Sequence, residues 1–119
     1  MHDQLRKSTW QERFRYYSGV YYGYPRLRQL KIQGNSMSPT IVDGEIVFYD
    51  PGSEVQVGDI VLTPHPYMQS VKIVKRIREI DPDGNVLLVG DNPTESTDSR
   101  TFGTVSVESC IGRVVCRLK

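Results

Sequence analysis

The run Val71-Lys72-Ile73-Val74-Lys75-Arg76-Ile77-Arg78 alternates in the manner of a half-buried strand. One face carries Val71, Ile73, Lys75 and Ile77, and the other carries Lys72, Val74, Arg76 and Arg78. Three basic residues fall on the wetter face, and Lys75 alone falls on the apolar one. Short runs of this kind recur from Arg26 onward. Strands are expected at 27–33, 45–49, 59–63, 70–79, 85–89 and 110–117. Turn signals separate them: Asp43-Gly44, Asp50-Pro51-Gly52, Pro64-His65-Pro66 and Pro82-Asp83-Gly84. The last should close a hairpin between the lysine strand and Asn85–Val89. The pattern predicts a mainly β domain over residues 26–119.

Residues 1–25 read differently. They hold Trp10, Phe14 and five of the seven tyrosines. A helix over 3–17 would place Trp10, Phe14 and Tyr17 on one face, with Gly19, Gly23 and Pro25 breaking it afterwards. The expectation is a short helical or irregular arm. Docking on the domain, a nucleic-acid contact and a membrane-surface contact are all open readings of it.

A chain of 119 residues suits one compact domain. Its net charge of +1 points to no partner class, although the charge is unevenly spread. Residues 1–31 carry seven Lys/Arg and two acids, net +5; the remainder carries eight and twelve, net −4. No window approaches the ~18 apolar residues of a membrane span, and no signal-peptide-like apolar run opens the chain. A cytoplasmic protein without a transmembrane segment is expected. Cys110 and Cys116 would share a strand face too far apart to bridge, which predicts buried free thiols. No metal-ligand spacing accompanies them, so no metal and no cofactor are expected.

Lys75 has two readings. Its ammonium can snorkel to water along an aliphatic stem. Alternatively, apolar surroundings disfavour its charged form and leave a neutral amine that can take a proton. A neutral lysine becomes interesting beside a nucleophile, and Gly34-Asn35-Ser36-Met37-Ser38-Pro39-Thr40 offers one. Glycine permits tight backbone geometry and proline fixes the exit. Such a turn can present the Ser36 hydroxyl beside backbone N–H groups, the pairing that acyl transfer needs; an ordinary loop is the other reading. Only His2 and His65 are available for a histidine triad, and neither has an evident acidic partner. A serine activated by lysine needs none. The third polar stretch, Gly90-Asp91-Asn92-Pro93-Thr94-Glu95-Ser96-Thr97-Asp98-Ser99-Arg100, is either a solvated loop or a framework for a site. In the second case Asp98 would pair with Arg100, and Ser96 would orient the lysine amine. Met37 is either part of a shallow substrate site or plain core.

The three segments, in this order and spacing, resemble the conserved boxes of the signal peptidase I family across roughly residues 28–117. Thr63-Pro64-His65-Pro66, Gly90-Asp91-Asn92-Pro93 and Ser96-Thr97-Asp98-Ser99-Arg100-x-Phe102-Gly103 are most similar to the nickel-type superoxide dismutase maturation proteases. The resemblance implies a compact antiparallel β-fold of the signal-peptidase and LexA kind. It also implies a Ser36–Lys75 catalytic dyad, with Gly34, Asn35 and Ser96 supporting the oxyanion hole. Asp91, Asp98 and Arg100 would form a structural network, and Met37 would face substrate. The implied partner is a protein: a precursor, the nickel superoxide dismutase precursor first, that loses an N-terminal propeptide. No nucleic acid is implied. One departure is informative. Many signal peptidases have a serine two positions before the nucleophile, and here that position is Gly34. An oxyanion would then depend on the backbone N–H groups of Asn35 and Ser36.

Overall fold

The computed structural model describes residues 27–52, 54–95 and 102–118. Within them lie seven strands: β1 (Arg28–Lys31), β2 (Ile46–Asp50), β3 (Ile60–Pro64), β4 (Lys72–Ile80), β5 (Asn85–Val89), β6 (Val105–Ser106) and β7 (Gly112–Arg117). They form one antiparallel sheet in the order β1-β2-β7-β3-β4-β5-β6. The mainly β expectation holds, and each of the six expected strands is present within a few residues of its expected limits. The two-residue strand β6 was not foreseen, being too short to show a period. The arm expected over 1–25 lies outside the described residues.

Period-two burial is clear in β5 and β7, where Val86 and Leu88, and then Val114 and Cys116, turn inward. It fails in β3, where Ile60, Val61, Leu62 and Thr63 are all buried. The reason is that apolar material covers both faces of the central strands. Ile60 joins a cluster with Ile32, Met37, Ile41, Val47 and Val114. Its neighbour Val61 joins a second cluster with Ile77, Val86, Leu88, Phe102 and Val105. Consecutive strand residues point to opposite faces, so the two clusters lie on either side of the sheet. In β2 a register shift at Phe48/Tyr49 breaks the alternation, and Val47 and Phe48 are both buried.

Gly112 opens β7, the strand that lies between β2 and β3. It pairs with Leu62 of β3. A Cβ there would sit 2.7 Å from Tyr49 Cδ2, 2.8 Å from the Asp50 carbonyl oxygen and 3.0 Å from Pro51 Cα. Two of these three obstacles are backbone and cannot swing aside. Gly112→Ala should therefore cost about 1–3 kcal/mol, read as a lower urea midpoint at unchanged m-value.

The β4–β5 hairpin forms where expected, around Asp81-Pro82-Asp83-Gly84. Asp81 organises it: its Oδ1 accepts the Asn85 and Asp83 N–H groups at 2.9 Å each, and its Oδ2 accepts Asn85 Nδ2 at 3.1 Å. The Asn85 backbone bond, then the Asn85 side chain, hold this carboxyl below the usual aspartate range. A carboxylate depressed in the folded state adds stability above its unfolded pKa and loses it as pH falls through the folded value. The Asp81 carboxyl resonance should accordingly titrate below ~3.9; titration at or above that value would contradict the turn geometry.

Both thiols are free. Cys116 is buried in β7, whereas Cys110 precedes the strand, closes the short 3-10 turn Val107–Ser109, and is only half-buried. Partial burial pushes the Cys110 thiol up, which disfavours its thiolate.

Candidate active site

Ser36 and Lys75 line one cavity of about 540 Å³, a size typical of ligand sites. Its wall is built from the segment Leu30–Met37 on one side and Val71–Lys75 on the other, with Leu62 and His65 between. Because β2, β7 and β3 intervene between β1 and β4, the sheet has to curl to bring these walls together.

Lys75 is 4% exposed. It stands directly opposite Val61 of β3, with Ile73 and Ile77 two residues to either side on the same face. That face packs on the second cluster. The alternation in the sequence thus placed Lys75 correctly, but it misplaced Arg76. Expected on the wetter face, Arg76 is 8% exposed. Its Nε and Nη2 donate to Asp91 Oδ1 and Oδ2 at 2.9 and 2.7 Å, and its Nη1 donates to the Gly58 carbonyl at 2.7 Å. A bidentate, hydrogen-bonded pair lets a charged side chain occupy a face that periodicity reads as solvent.

The serine turn is held from several directions. Gly34 has φ +87°, a conformation glycine adopts without strain. Its N–H donates to Asp43 Oδ1 at 2.7 Å, so it is committed and cannot serve an oxyanion. Asn35 and Ser36 follow, and the Ser38–Pro39 peptide is cis. Among the described residues the N–H groups of Asn35 and Ser36, and the Ser36 hydroxyl, make no hydrogen bond. The turn ends at Thr40, whose Oγ1 donates to Asp91 Oδ2 at 2.6 Å and whose carbonyl accepts from Arg117 Nη2.

Asp91 therefore joins the two halves of the site. One carboxylate takes Arg76, the neighbour of Lys75, and Thr40, four residues beyond Ser36. Its side chain is 1% exposed. The next residue adds two more ties: Asn92 N–H donates to the Ser36 carbonyl at 2.9 Å, and Asn92 Nδ2 donates to the Asn35 carbonyl at 3.1 Å. This is possible because β5 parts from β4 at the pair Arg76–Val89. The chain then crosses to the serine turn, so the β4–β5 ladder stops at Arg76.

Met37 is 2% exposed and belongs to the first core cluster, while also reaching the cavity wall. Ser96, Asp98 and Arg100 lie outside the described residues. Thr40, Asp43, Arg76 and Asn92 were missed as site residues. The signal for Arg76 was its place beside Lys75, and for Asn92 its place beside Asp91. His65, left without a role by the sequence, lines the cavity; its Nδ1 accepts the Tyr67 and Met68 N–H groups at 3.1 and 3.2 Å, and its ring lies 5.1 Å from that of Phe102.

The site thus brings a serine hydroxyl and a buried lysine into one cavity, beside two backbone N–H groups in a tight turn. The chain belongs to the Peptidase S24-like family, whose model matches residues 3–115. It is 32% identical to the mitochondrial inner membrane protease subunit 1 of Xenopus tropicalis over 108 residues, covering 71% of this chain and 65% of that protein. Similarity extends to the subunit 1 of Saccharomyces cerevisiae, at 30% over 64% of this chain and 36% of that protein. A probable thylakoidal processing peptidase 2 of Arabidopsis thaliana is 34% identical over 65% of this chain and 18% of its own length. The chain thus spans slightly less than two thirds of the first of these relatives, and less of the others.

Proposed function

We propose that this chain is a serine endopeptidase that removes an N-terminal leader from a precursor protein, with Ser36 as nucleophile and Lys75 as general base. The observation that carries the reading is the shared cavity, in which a buried lysine and the serine of a tight turn line the same walls. Family membership and relatives whose names are those of proteases and a processing peptidase support it.

In this mechanism the neutral Lys75 amine takes the Ser36 proton as Oγ attacks the scissile carbonyl. The oxyanion is held by the N–H groups of Asn35 and Ser36. Lys75 returns the proton to the leaving amine, and the new N-terminus departs. A water then gives its proton to Lys75 and attacks the ester, releasing the acid and restoring Ser36. Substrate has two places to pair as an extended strand. These are β1, whose neighbour among the described strands is β2, and the half of β4 from Lys72 to Lys75 that lies beyond the β4–β5 ladder.

The nickel-type superoxide dismutase precursor is the first candidate substrate, on the strength of the sequence resemblance; a cytoplasmic location would suit it. The relatives' names favour a second reading, processing of a different leader peptide. No helix among the described residues is long and apolar enough to cross a membrane. Co-expression with the nickel superoxide dismutase precursor, followed by the precursor's intact mass, separates the two. A shortened N-terminus that depends on Ser36 supports the first candidate. An uncut precursor beside demonstrable cleavage of other peptides assigns the enzyme to another leader.

A further inference from the structure

Charge in the cavity wall is one-sided. Among the described residues the lining carries the exposed ammonium groups of Lys31 and Lys72, besides the buried Lys75 amine, and no aspartate or glutamate. Lys31 ends β1 and Lys72 opens β4, so the two lysines stand on the two walls. Both are exposed, and neither is ion-paired with a described residue. The site's carboxylates among the described residues are already engaged: Asp43 accepts the Gly34 N–H, and Asp91 is taken up by Arg76 and Thr40.

We propose that the cavity selects peptides bearing acidic side chains in the segment bound between β1 and β4, with Lys31 and Lys72 as the specificity-determining residues. This inference rests on the peptidase reading for its biological sense but not for its test. Backbone pairing of an extended peptide accepts any sequence, so discrimination has to come from side chains. A cleft lined by one sign of charge focuses its field and concentrates ligands of the other sign. A carboxylate placed against Lys75 would favour the charged amine and oppose catalysis. The acidic side chains therefore belong at the rim, with Lys31 and Lys72. Each exposed pair is worth at most about fivefold in affinity, so two together give on the order of tenfold at low salt.

The test uses the full chain carrying Ser36→Ala, so that nothing is consumed. Three otherwise identical Ala/Ser peptides with one neutral fluorophore, containing two Asp, two Asn or two Lys, are titrated by fluorescence anisotropy. The Asp peptide should bind about tenfold tighter than the Asn peptide at low salt and lose that margin as salt shortens the range of charge interactions. The double variant Lys31→Glu/Lys72→Glu, confirmed folded by its melting curve, should reverse the order and favour the Lys peptide. Equal affinities for Asp and Asn, or an acidic preference that survives the double variant, would overturn the proposal. The same peptides exposed to unmodified protein keep the two ideas apart. Cleavage without charge preference removes only the specificity claim; charge preference without any cleavage of these or other peptides removes only the peptidase.

Discussion

Asp91→Ala should lower folding stability by about 3–5 kcal/mol, because it strands the Arg76 guanidinium in a buried position without its carboxylate. The side chains of the pair are 1% and 10% exposed, so water does little to compensate. A domain of this size has roughly 5–15 kcal/mol in total, and the melting temperature should drop by roughly 10–20 °C. Urea denaturation followed by far-ultraviolet signal measures it. Thr40→Val separates positioning from stability. It deletes one hydroxyl bond to Asp91 and leaves the Arg76 pair in place. The expected cost is only about 1 kcal/mol of stability, together with a fall in kcat at nearly unchanged KM. A change of under twofold in kcat for Thr40→Val would show that the tie between the serine turn and Asp91 does not position Ser36.

The strands were legible because they obey period two and are punctuated by proline and glycine. Lys75 was legible for the same reason: a lysine among Val71, Ile73 and Ile77 breaks the rule that its neighbours keep. Arg76 was not, and the cause is physical. Alternation reports which residues lie on a face; it does not report what covers that face. Asp91 arrives from 15 residues further along the chain and converts a position read as wet into a buried one. Thr40 and Asn92 were equally hidden, since their roles are long-range hydrogen bonds between segments with no shared period. Gly34 was legible as a glycine the turn needs, but its N–H partner, Asp43, becomes visible only when the turn folds back on itself. Met37 shows the converse limit, because sequence could not choose between core and cavity wall and the residue touches both.

Ser36→Ala and Lys75→Met should each lower peptide cleavage by at least about a thousandfold, since a nucleophile and its base act as one unit. Lys75→Met keeps a side chain of similar length and apolar stem among Val61, Ile73 and Ile77, so its melting temperature should stay near that of the parent. For the parent, cleavage should rise with pH, because the base works only when unprotonated. A lysine with the ordinary pKa of ~10.4 would leave the rate still climbing above pH 9. The buried amine proposed here should reach its plateau at a lower pH than an ordinary lysine would.

The most direct measurement compares the purified parent, Ser36→Ala and Lys75→Met on a proteome-derived peptide mixture, with new N-termini identified by mass spectrometry. The Ser36–Lys75 account predicts a defined set of new termini with the parent and none with either variant. The same termini produced by a folded Ser36→Ala or Lys75→Met protein would contradict it.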